Sequence, residues 1–289
     1  MAPKPDADFN LANGHGYMLD SHFRAASRLN LQHYLWREAL GYIVHPSISL
    51  SKASDAQLAI ADIAFGTGMW LIDVAKKYPH AKLDGLDINL TQCPPSAWMP
   101  KNINLQHWSL FDDVPEEMVG KYDFVHVRLV IMVLTNEDRT RAMTNFYRLL
   151  KPGGYLQWDD MDSVRTRVKK IDPKMETPAL DQLRLACWAE GRHDWMLELP
   201  SLLGEIGFVD AKMELNDDEE DLIRPFGDQH LCTMEEFGDR LVSVGEKDGA
   251  NRFYRFVHES AAEGQRGAAL CIPRFVVVAR KPPVSDVKL

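Results

Sequence analysis

The sequence predicts an α/β fold built on a doubly wound, mostly parallel sheet, and three neighbouring patterns indicate it. An apolar strand over residues 58–61 runs into a loop that contains Gly66 and Gly68. Apolar residues at helical spacing follow at once over residues 69–75. A second short apolar strand then spans residues 82–87. Strand, glycine turn, helix and strand in this order form the unit from which doubly wound sheets are built.

The glycine loop and the second strand together suit a nucleoside. Glycines let the backbone approach a ligand closely, and the start of a helix offers free N–H groups. Asp87 follows the loop by about 20 positions, where a carboxylate can accept hydrogen bonds from ribose hydroxyls. The third glycine of the dinucleotide fingerprint is absent, and Asp62 at the strand end could accept from an ammonium group. We therefore expect a cationic nucleoside; a glycine turn without a ligand is the simpler alternative.

Four segments, including the glycine loop and the end of the second strand, carry a family resemblance. Residues 62–68, 86–88, 122–126 and 149–155 resemble, in order, the motifs of class I S-adenosylmethionine-dependent methyltransferases. Residues 28–36 resemble a subgroup of fungal secondary-metabolite methyltransferases, of the kind found beside gliotoxin-type clusters. The resemblance implies a seven-stranded, Rossmann-like sheet. It also implies S-adenosylmethionine as cofactor, S-adenosylhomocysteine as product, and in-line methyl transfer to an oxygen or nitrogen atom of a small molecule.

The same resemblance implies which residues hold the cofactor. Phe65 stands where the family has a small residue, so we expect it to reshape the methionine pocket. Arg128, at the end of the fourth strand, could grip a carboxylate bidentately, whereas the neighbouring His126 is expected to be a hydrogen-bonded core residue. The loop that begins at Trp108 is expected to close on the adenine, although this tryptophan would equally suit the core. The predicted cofactor-binding residues are Asp62, Ala64, Gly66, Gly68, Asp87, Ile88, Trp108, Ser109, Leu110 and Arg128.

The acceptor is expected to bind under a helical cover and a cap. A helix predicted over residues 16–45 precedes the first strand, and by the resemblance it folds over the cofactor mouth; a packing helix with solvated arginines is the alternative. A helix over residues 177–190 and an insertion over residues 233–264 would form the cap. Tryptophans at the mouth would suit a planar, apolar acceptor, and equally ordinary packing. The predicted acceptor-binding residues are Tyr17, Arg28, Gln32, Trp158 and Trp195.

A general base is required only if the acceptor is a phenol or another hydroxyl. His193 and His230, both in the predicted cap, are the candidates, whereas an amine or carboxylate acceptor needs no base. Asp159, Asp160 and Asp162 follow the fifth strand, and we expect these crowded carboxylates to be solvated. We predict no metal site, because no second His/Asp cluster accompanies them.

Composition restricts the partners and the compartment. Lys and Arg number 33 against 42 Asp and Glu, a net charge of −9, and basic residues do not cluster with aromatics, so a nucleic-acid substrate is not expected. Four widely spaced cysteines indicate reduced thiols. No secretory h-region and no apolar run of about 18 residues is present. We therefore expect a cytoplasmic protein without membrane contact, and the N-terminal helix offers a surface for a homodimer.

One domain with additions is the expected organisation, and two other functions remain open. A regulatory or partner-binding protein could retain the fold without catalysis, with Phe65 as its only hint. An NAD-dependent reductase is disfavoured by the missing third glycine and by the order of the later motifs. The expected parts are a flexible N-terminus (1–14) and a domain (15–289) with a helical cover (15–50), a cofactor-binding half (51–160) and cap elements (161–200 and 217–270).

Overall fold

The structure is a computed structural model that describes residues 19, 22–50, 58–217 and 219–284. Helices and strands alternate through most of this part of the chain. In chain order they are α1 (Phe23–Leu40), β1 (Ala59–Ile63), α2 (Met69–Lys77), β2 (Lys82–Asp87), β3 (Ile103–His107), β4 (Tyr122–Arg128), α3 (Arg139–Leu149), β5 (Leu150–Met161), β6 (Arg167–Lys170), α4 (Pro178–Trp188), α5 (Leu199–Ile206), β7 (Val209–Asn216), α6 (Ile223–Ser243), α7 (Lys247–Gln265), β8 (Ala268–Cys271) and β9 (Arg274–Arg280).

Seven strands form one sheet in the order β3-β2-β1-β4-β5-β9-β7. Strands β1 to β5 are parallel, while β9 is antiparallel to both of its neighbours. The predicted doubly wound, mostly parallel sheet is therefore confirmed. The winding reverses at β1, which lies between β2 and β4, and ligands bind at such a reversal, beyond the carboxyl ends of the strands.

Strand β2 passes close beneath α2 because Gly85 lacks a side chain. A Cβ atom built on Gly85 would lie 2.7 Å from Phe65, 2.7 Å from Leu105 and 2.8 Å from Leu71. Phe65 is buried in the core cluster on this face of the sheet, together with Trp70. The expectation that Phe65 reshapes the methionine pocket is therefore wrong: its ring occupies the core space that Gly85 leaves.

The cap consists of α4, the helix pair α6 and α7, and a small second sheet. The insertion begins earlier than predicted, at Ile223, and its two helices are joined by a turn at residues 244–246. The N–H groups of Ala179 and Leu180 at the start of α4 donate to Glu263 of α7, at 3.0 and 2.9 Å. Strands β6 and β8 pair in the second sheet, and Pro273 lies between β8 and β9.

Helix α1 connects the cap to the sheet. Buried Arg28 forms an ion pair with Glu236 of α6, with distances of 2.6 and 3.0 Å from its Nε and Nη2 atoms to the carboxylate. On another side of α1, His33 and Arg37 bond to Asp73 of α2 at 3.1 and 2.9 Å. The helix thus lies across the carboxyl edge of the sheet. Within the described residues, no helix has the length and apolar character needed to cross a membrane.

Candidate active site

The loop from β1 to α2 turns through residues in the left-handed region of backbone space. The φ angles of Ala64, Gly66 and Gly68 are 55°, 58° and 74°. Such a φ angle suits glycine and strains alanine, so the backbone of Ala64 is locally strained. A Cβ on Gly68 would lie 3.1 Å from the Sγ atom of Cys93, so the connection after β2 packs directly on the loop. The two glycines therefore allow a close approach to the backbone.

Asp87 at the end of β2 holds this loop in place. Its Oδ2 atom accepts from the N–H of Gly66 and its Oδ1 atom from the N–H of Asn89, both at 2.9 Å. Burial raises the pKa of the Asp87 carboxyl, while the residue, like Ile88 beside it, keeps some accessible surface. Each carboxylate oxygen has capacity for a further hydrogen bond. The side chain therefore suits a ligand hydroxyl at the predicted position.

A buried charged network lies beneath the loop. The Nδ1 atom of His126 lies 2.7 Å from Oδ1 of Asp62, and its Nε2 atom lies 3.2 Å from Oδ2 of Asp159. The Trp70 ring stacks on the His126 imidazole, with centroids 3.9 Å apart and planes 2° apart. Burial acts to lower the pKa of His126, but the carboxylates of Asp62 and Asp159 outweigh it and raise the pKa, which favours the imidazolium. The predicted core position of His126 is confirmed, and Asp62 is bound to this histidine rather than to an open pocket.

Arg128 joins the network at the end of β4. Its Nε and Nη2 atoms donate to Oδ2 of Asp159 at 3.1 and 2.8 Å, and its guanidinium lies 5.1 Å from the ring centroid of Trp36 on α1. The contact predicted for a cofactor carboxylate is thus made with Asp159. The Arg128 guanidinium, at the end of β4, therefore contacts both β5 and α1, which we call the cover helix.

The acidic group after β5 is buried, so the expectation of solvated carboxylates is wrong. Asp160 accepts from the N–H groups of Val130 and Ile131, each at 3.1 Å, and so fixes the turn that follows β4. Burial raises the pKa of Asp160 to about 7. Asp162 bonds to Arg165, while Asp159 belongs to the network above. Across the described ranges, His, Cys, Asp and Glu side chains form no group of three or more suited to a metal ion.

The predicted adenine loop is only partly available to a ligand. Trp108 and Leu110 are buried in the main core, and the indole N–H of Trp108 donates to the carbonyl of Asp113 at 3.3 Å. The core position that was the alternative for Trp108 is thus observed, while the assignment of Trp108 and Leu110 to adenine stays a prediction. Ser109 keeps accessible surface, and its hydroxyl accepts from the N–H of Phe111 at 3.2 Å.

The residues predicted to bind the acceptor do not form one site. Trp158 is completely buried, with ring centroids 5.7 Å from Phe146 and 6.4 Å from Trp195, so these two tryptophans belong to the core rather than to a mouth. Arg28 is engaged by Glu236, while Gln32 on the same helix is half-buried. Tyr17 lies outside the described residues.

The two candidate bases lie on different elements. His193 is buried before the turn that leads into α5, and burial lowers its pKa to about 4. The Nε2 atom of His230 on α6 lies 3.0 Å from the Sγ atom of Cys187, a pairing that the sequence analysis missed. Burial lowers the pKa of His230 to about 4 as well. Both imidazoles are therefore neutral and only weakly basic near pH 7.

Comparison with known proteins identifies the stretch that carries the loop. A family profile described as "Methyltransferase domain" matches residues 60–154, from β1 into β5. Residues 60–154 are thus similar to a methyltransferase domain. The glycine loop, Asp87 and Arg128 all lie within it.

Curated relatives resemble about half of this chain. "Methyltransferase grgD" of a Penicillium species is 35% identical over 146 residues, which cover 47% of this chain and 49% of that protein. "N-methyltransferase tcpN" of Claviceps purpurea is 35% identical over 133 residues, which cover 45% of this chain and 46% of that protein. The match thus spans about half the length of these relatives.

A solved structure supports the fold. A phosphoethanolamine N-methyltransferase 2 of Haemonchus contortus, solved with phosphomonomethylethanolamine and S-adenosylhomocysteine, superposes with a TM-score of 0.50 at 13% identity. The alignment covers 89% of this chain and 58% of that one. At this identity the likeness concerns the fold alone.

Proposed function

We propose that this protein transfers a methyl group from S-adenosylmethionine to a small-molecule acceptor and releases S-adenosylhomocysteine. The observation that carries the proposal is the Asp87 carboxylate, which joins β2 to the Gly66 amide and keeps accessible surface at the point where the sheet winding reverses. The match of residues 60–154 to a methyltransferase domain supports it.

The residues of the loop fit this cofactor. Gly66 and Gly68 leave the backbone uncovered by side chains of their own, and Asp87 offers acceptors for ribose hydroxyls. The Cδ1 atom of Leu29 on α1 lies 3.6 Å from a Cβ built on Gly66, so the cover helix limits the access of water to the loop. When bound, S-adenosylmethionine supplies a methyl group that its sulfonium already activates.

The chain's own contribution is then orientation. The ion pairs of His126 and Arg128 with Asp159 hold the ends of β4 and β5 together, and Asp160 fixes the turn after β4. A rigid edge keeps the two reactants in line, which is the main requirement of a direct displacement. We do not assign a proton transfer to this network, because its groups are bound to one another.

We propose nitrogen rather than oxygen as the acceptor atom. A neutral amine needs no strong base, and His193 and His230, with pKa values of about 4, are weak ones. Several relatives, including tcpN and "N-methyltransferase gliN" of Aspergillus fumigatus, bear names that state N-methylation. The net charge of −9 supports a small-molecule acceptor rather than nucleic acid. A secondary metabolite as the acceptor and a cytoplasmic location stay proposals. A homodimer through α1 stays a proposal.

A non-catalytic regulator has lost its supporting observation. Phe65 was its only hint, and this side chain packs in the core beside Gly85 instead of filling the cofactor site. We therefore do not develop this second function.

Calorimetric titration with S-adenosylmethionine and S-adenosylhomocysteine tests the proposal, with NAD as the control ligand. We expect micromolar binding of both sulfur nucleosides and none of NAD, followed by methylation in a screen of amines, phenols and acids. Failure of both sulfur nucleosides to bind at millimolar concentration would contradict the cofactor assignment. NAD binding in their place would favour a reductase.

A further inference from the structure

Two side-chain amides beside the glycine loop have buried polar atoms that lack partners. Among the described residues, Asn30 Oδ1 accepts no hydrogen bond and Gln92 Nε2 donates none. Buried polar groups are nearly always bonded, and a buried group left unpaired destabilises the folded chain. Each of these atoms therefore calls for a partner that a protein-only structure lacks, which is either a ligand or ordered water.

Each amide is next in sequence to a residue that contacts the glycine loop. Asn30 follows Leu29 on α1, and Leu29 contacts the space above Gly66. Gln92 precedes Cys93, whose thiol lies 3.5 Å from the Gly66 carbonyl oxygen and packs against Gly68. One unpaired acceptor and one unpaired donor thus belong to residues that adjoin these two loop contacts in the chain.

We propose that Asn30 and Gln92 are cofactor-binding residues, an inference that rests on the proposed function. Asn30 Oδ1 accepts from the ammonium group of the methionine part, and Gln92 Nε2 donates to an oxygen of a ribose hydroxyl. His126 binds one oxygen of Asp62 at 2.7 Å, and an ammonium group carries three N–H donors, so it can bond to Asn30 Oδ1 as a further acceptor. Gln92 follows Asp87 closely in the chain, and a hydroxyl that donates to Asp87 still accepts from an amide N–H.

This assignment predicts effects of opposite sign on the free protein and on its complex. Asn30→Leu and Gln92→Met keep the size of the side chain and remove the unpaired group. We expect each variant to keep or raise the melting temperature of the free protein, because an unsatisfied buried group is lost. Its affinity for S-adenosylhomocysteine should fall about tenfold, since one hydrogen bond to the ligand is lost.

Two ligands separate the two roles. 5′-Methylthioadenosine has the ribose and adenine but no amino-acid part. We expect Asn30→Leu to lower the affinity for S-adenosylhomocysteine about tenfold and to leave the affinity for 5′-methylthioadenosine unchanged. Gln92→Met should lower the affinity for both ligands about tenfold. Asn102→Leu is the matched control: its Nδ2 atom donates to the carbonyls of Tyr78 and Ala81 at 3.4 and 3.1 Å, so this change should lower the melting temperature and leave affinity unaltered.

The measurements are calorimetric titration and thermal unfolding of the free protein, so neither requires the acceptor. If wild-type protein binds S-adenosylhomocysteine and both variants bind it equally well, the inference is overturned while the proposed function stands. A lower melting temperature with unchanged affinity likewise overturns it and shows that the amides are satisfied within the protein or by water. If the wild-type protein binds no sulfur nucleoside, the proposed function fails together with the inference.

Discussion

Asp87 shows how a single side chain can serve both the fold and a ligand. Its two oxygens accept from two backbone amides, that of Gly66 in the glycine loop and that of Asn89 after β2. Because these bonds use only part of the carboxylate's capacity, the same group can accept from a ribose. A substitution at Asp87 should therefore affect loop geometry and ligand affinity together.

Asp87→Ala should weaken S-adenosylhomocysteine binding by about 1.5–3 kcal/mol, the range for a hydrogen bond to a charged group. Calorimetric titration measures this change. Asp87→Asn is the matched control. It keeps one acceptor oxygen for Gly66, so its affinity for S-adenosylhomocysteine should fall less than that of Asp87→Ala. Equal affinity of Asp87→Ala and wild type would place the nucleoside site elsewhere.

Gly85→Ala should destabilise the fold by about 1–3 kcal/mol, the usual cost of overpacking a core. The reason is the space beneath α2, where a Cβ would lie 2.7 Å from Phe65 and Leu105. Gly204→Ala is the control: it lies within α5 with nothing within 4 Å of its Cβ, so we expect stabilisation of about 0.5–1 kcal/mol. Urea unfolding at pH 7 compares the stabilities of the two variants. If Gly85→Ala is as stable as the wild type, the side chains around Gly85 can move to accommodate a methyl group.

At the scale of elements, α1 is held by charge as much as by apolar packing. Its polar residues contact two different parts of the molecule, with Arg28 on Glu236 of α6 and His33 on Asp73 of α2. The alternative of a packing helix with solvated arginines fails for Arg28, whose side chain is 4% exposed. A buried ion pair therefore joins α1 to α6 of the cap.

Arg28→Met should destabilise the protein by about 3–5 kcal/mol, because Glu236 is left as an unpaired buried charge. Replacing both partners, as in Arg28→Met with Glu236→Leu, should recover most of this loss, since an apolar pair of similar volume avoids the desolvation penalty. Guanidinium unfolding of the two single variants and the double variant forms the cycle. Strictly additive effects would mean that the two charges are not coupled.

At the scale of the whole molecule, burial suppresses protonation of several imidazoles. Burial lowers the pKa values of His33, His193 and His230 from 6.5 to about 4. The unfolded chain binds protons at these sites below about pH 6.5, whereas the folded chain does not until about pH 4. The unfolded state therefore binds more protons in this window, and these groups lower stability as the pH falls.

His193→Gln should reduce the acid sensitivity of the fold. Glutamine stays neutral at every pH, so the variant lacks the His193 contribution to destabilisation between pH 6.5 and about 4. Unfolding free energies are measured in steps from pH 7 to pH 4. The stability of the variant relative to the wild type should rise as the pH falls. A difference that is constant with pH would mean that His193 titrates alike in the folded and unfolded chains.

The sheet, the glycine loop and Asp87 could be predicted because their signals are local. An apolar run, a pair of glycines and an acid at a fixed spacing lie within one βαβ unit. Trp158 and Trp195 lie in the core rather than at a mouth. The sequence could not show this, because an aromatic side chain looks the same in sequence whether it lines a pocket or a core. Which of the two it lines depends on side chains that are distant in sequence, as in the contact between Trp158 and Trp195.

The sequence by itself determined the doubly wound sheet, the position of its loop and the acidic residue that serves it, since backbone preferences and apolar periodicity act over short distances. Only the tertiary structure decided the partners of the charges. Asp62, His126 and Asp159 lie on three different strands, and their register brings them together. Charges buried together must neutralise one another because water is absent, and that pairing follows from the packing of the strands rather than from spacing along the chain.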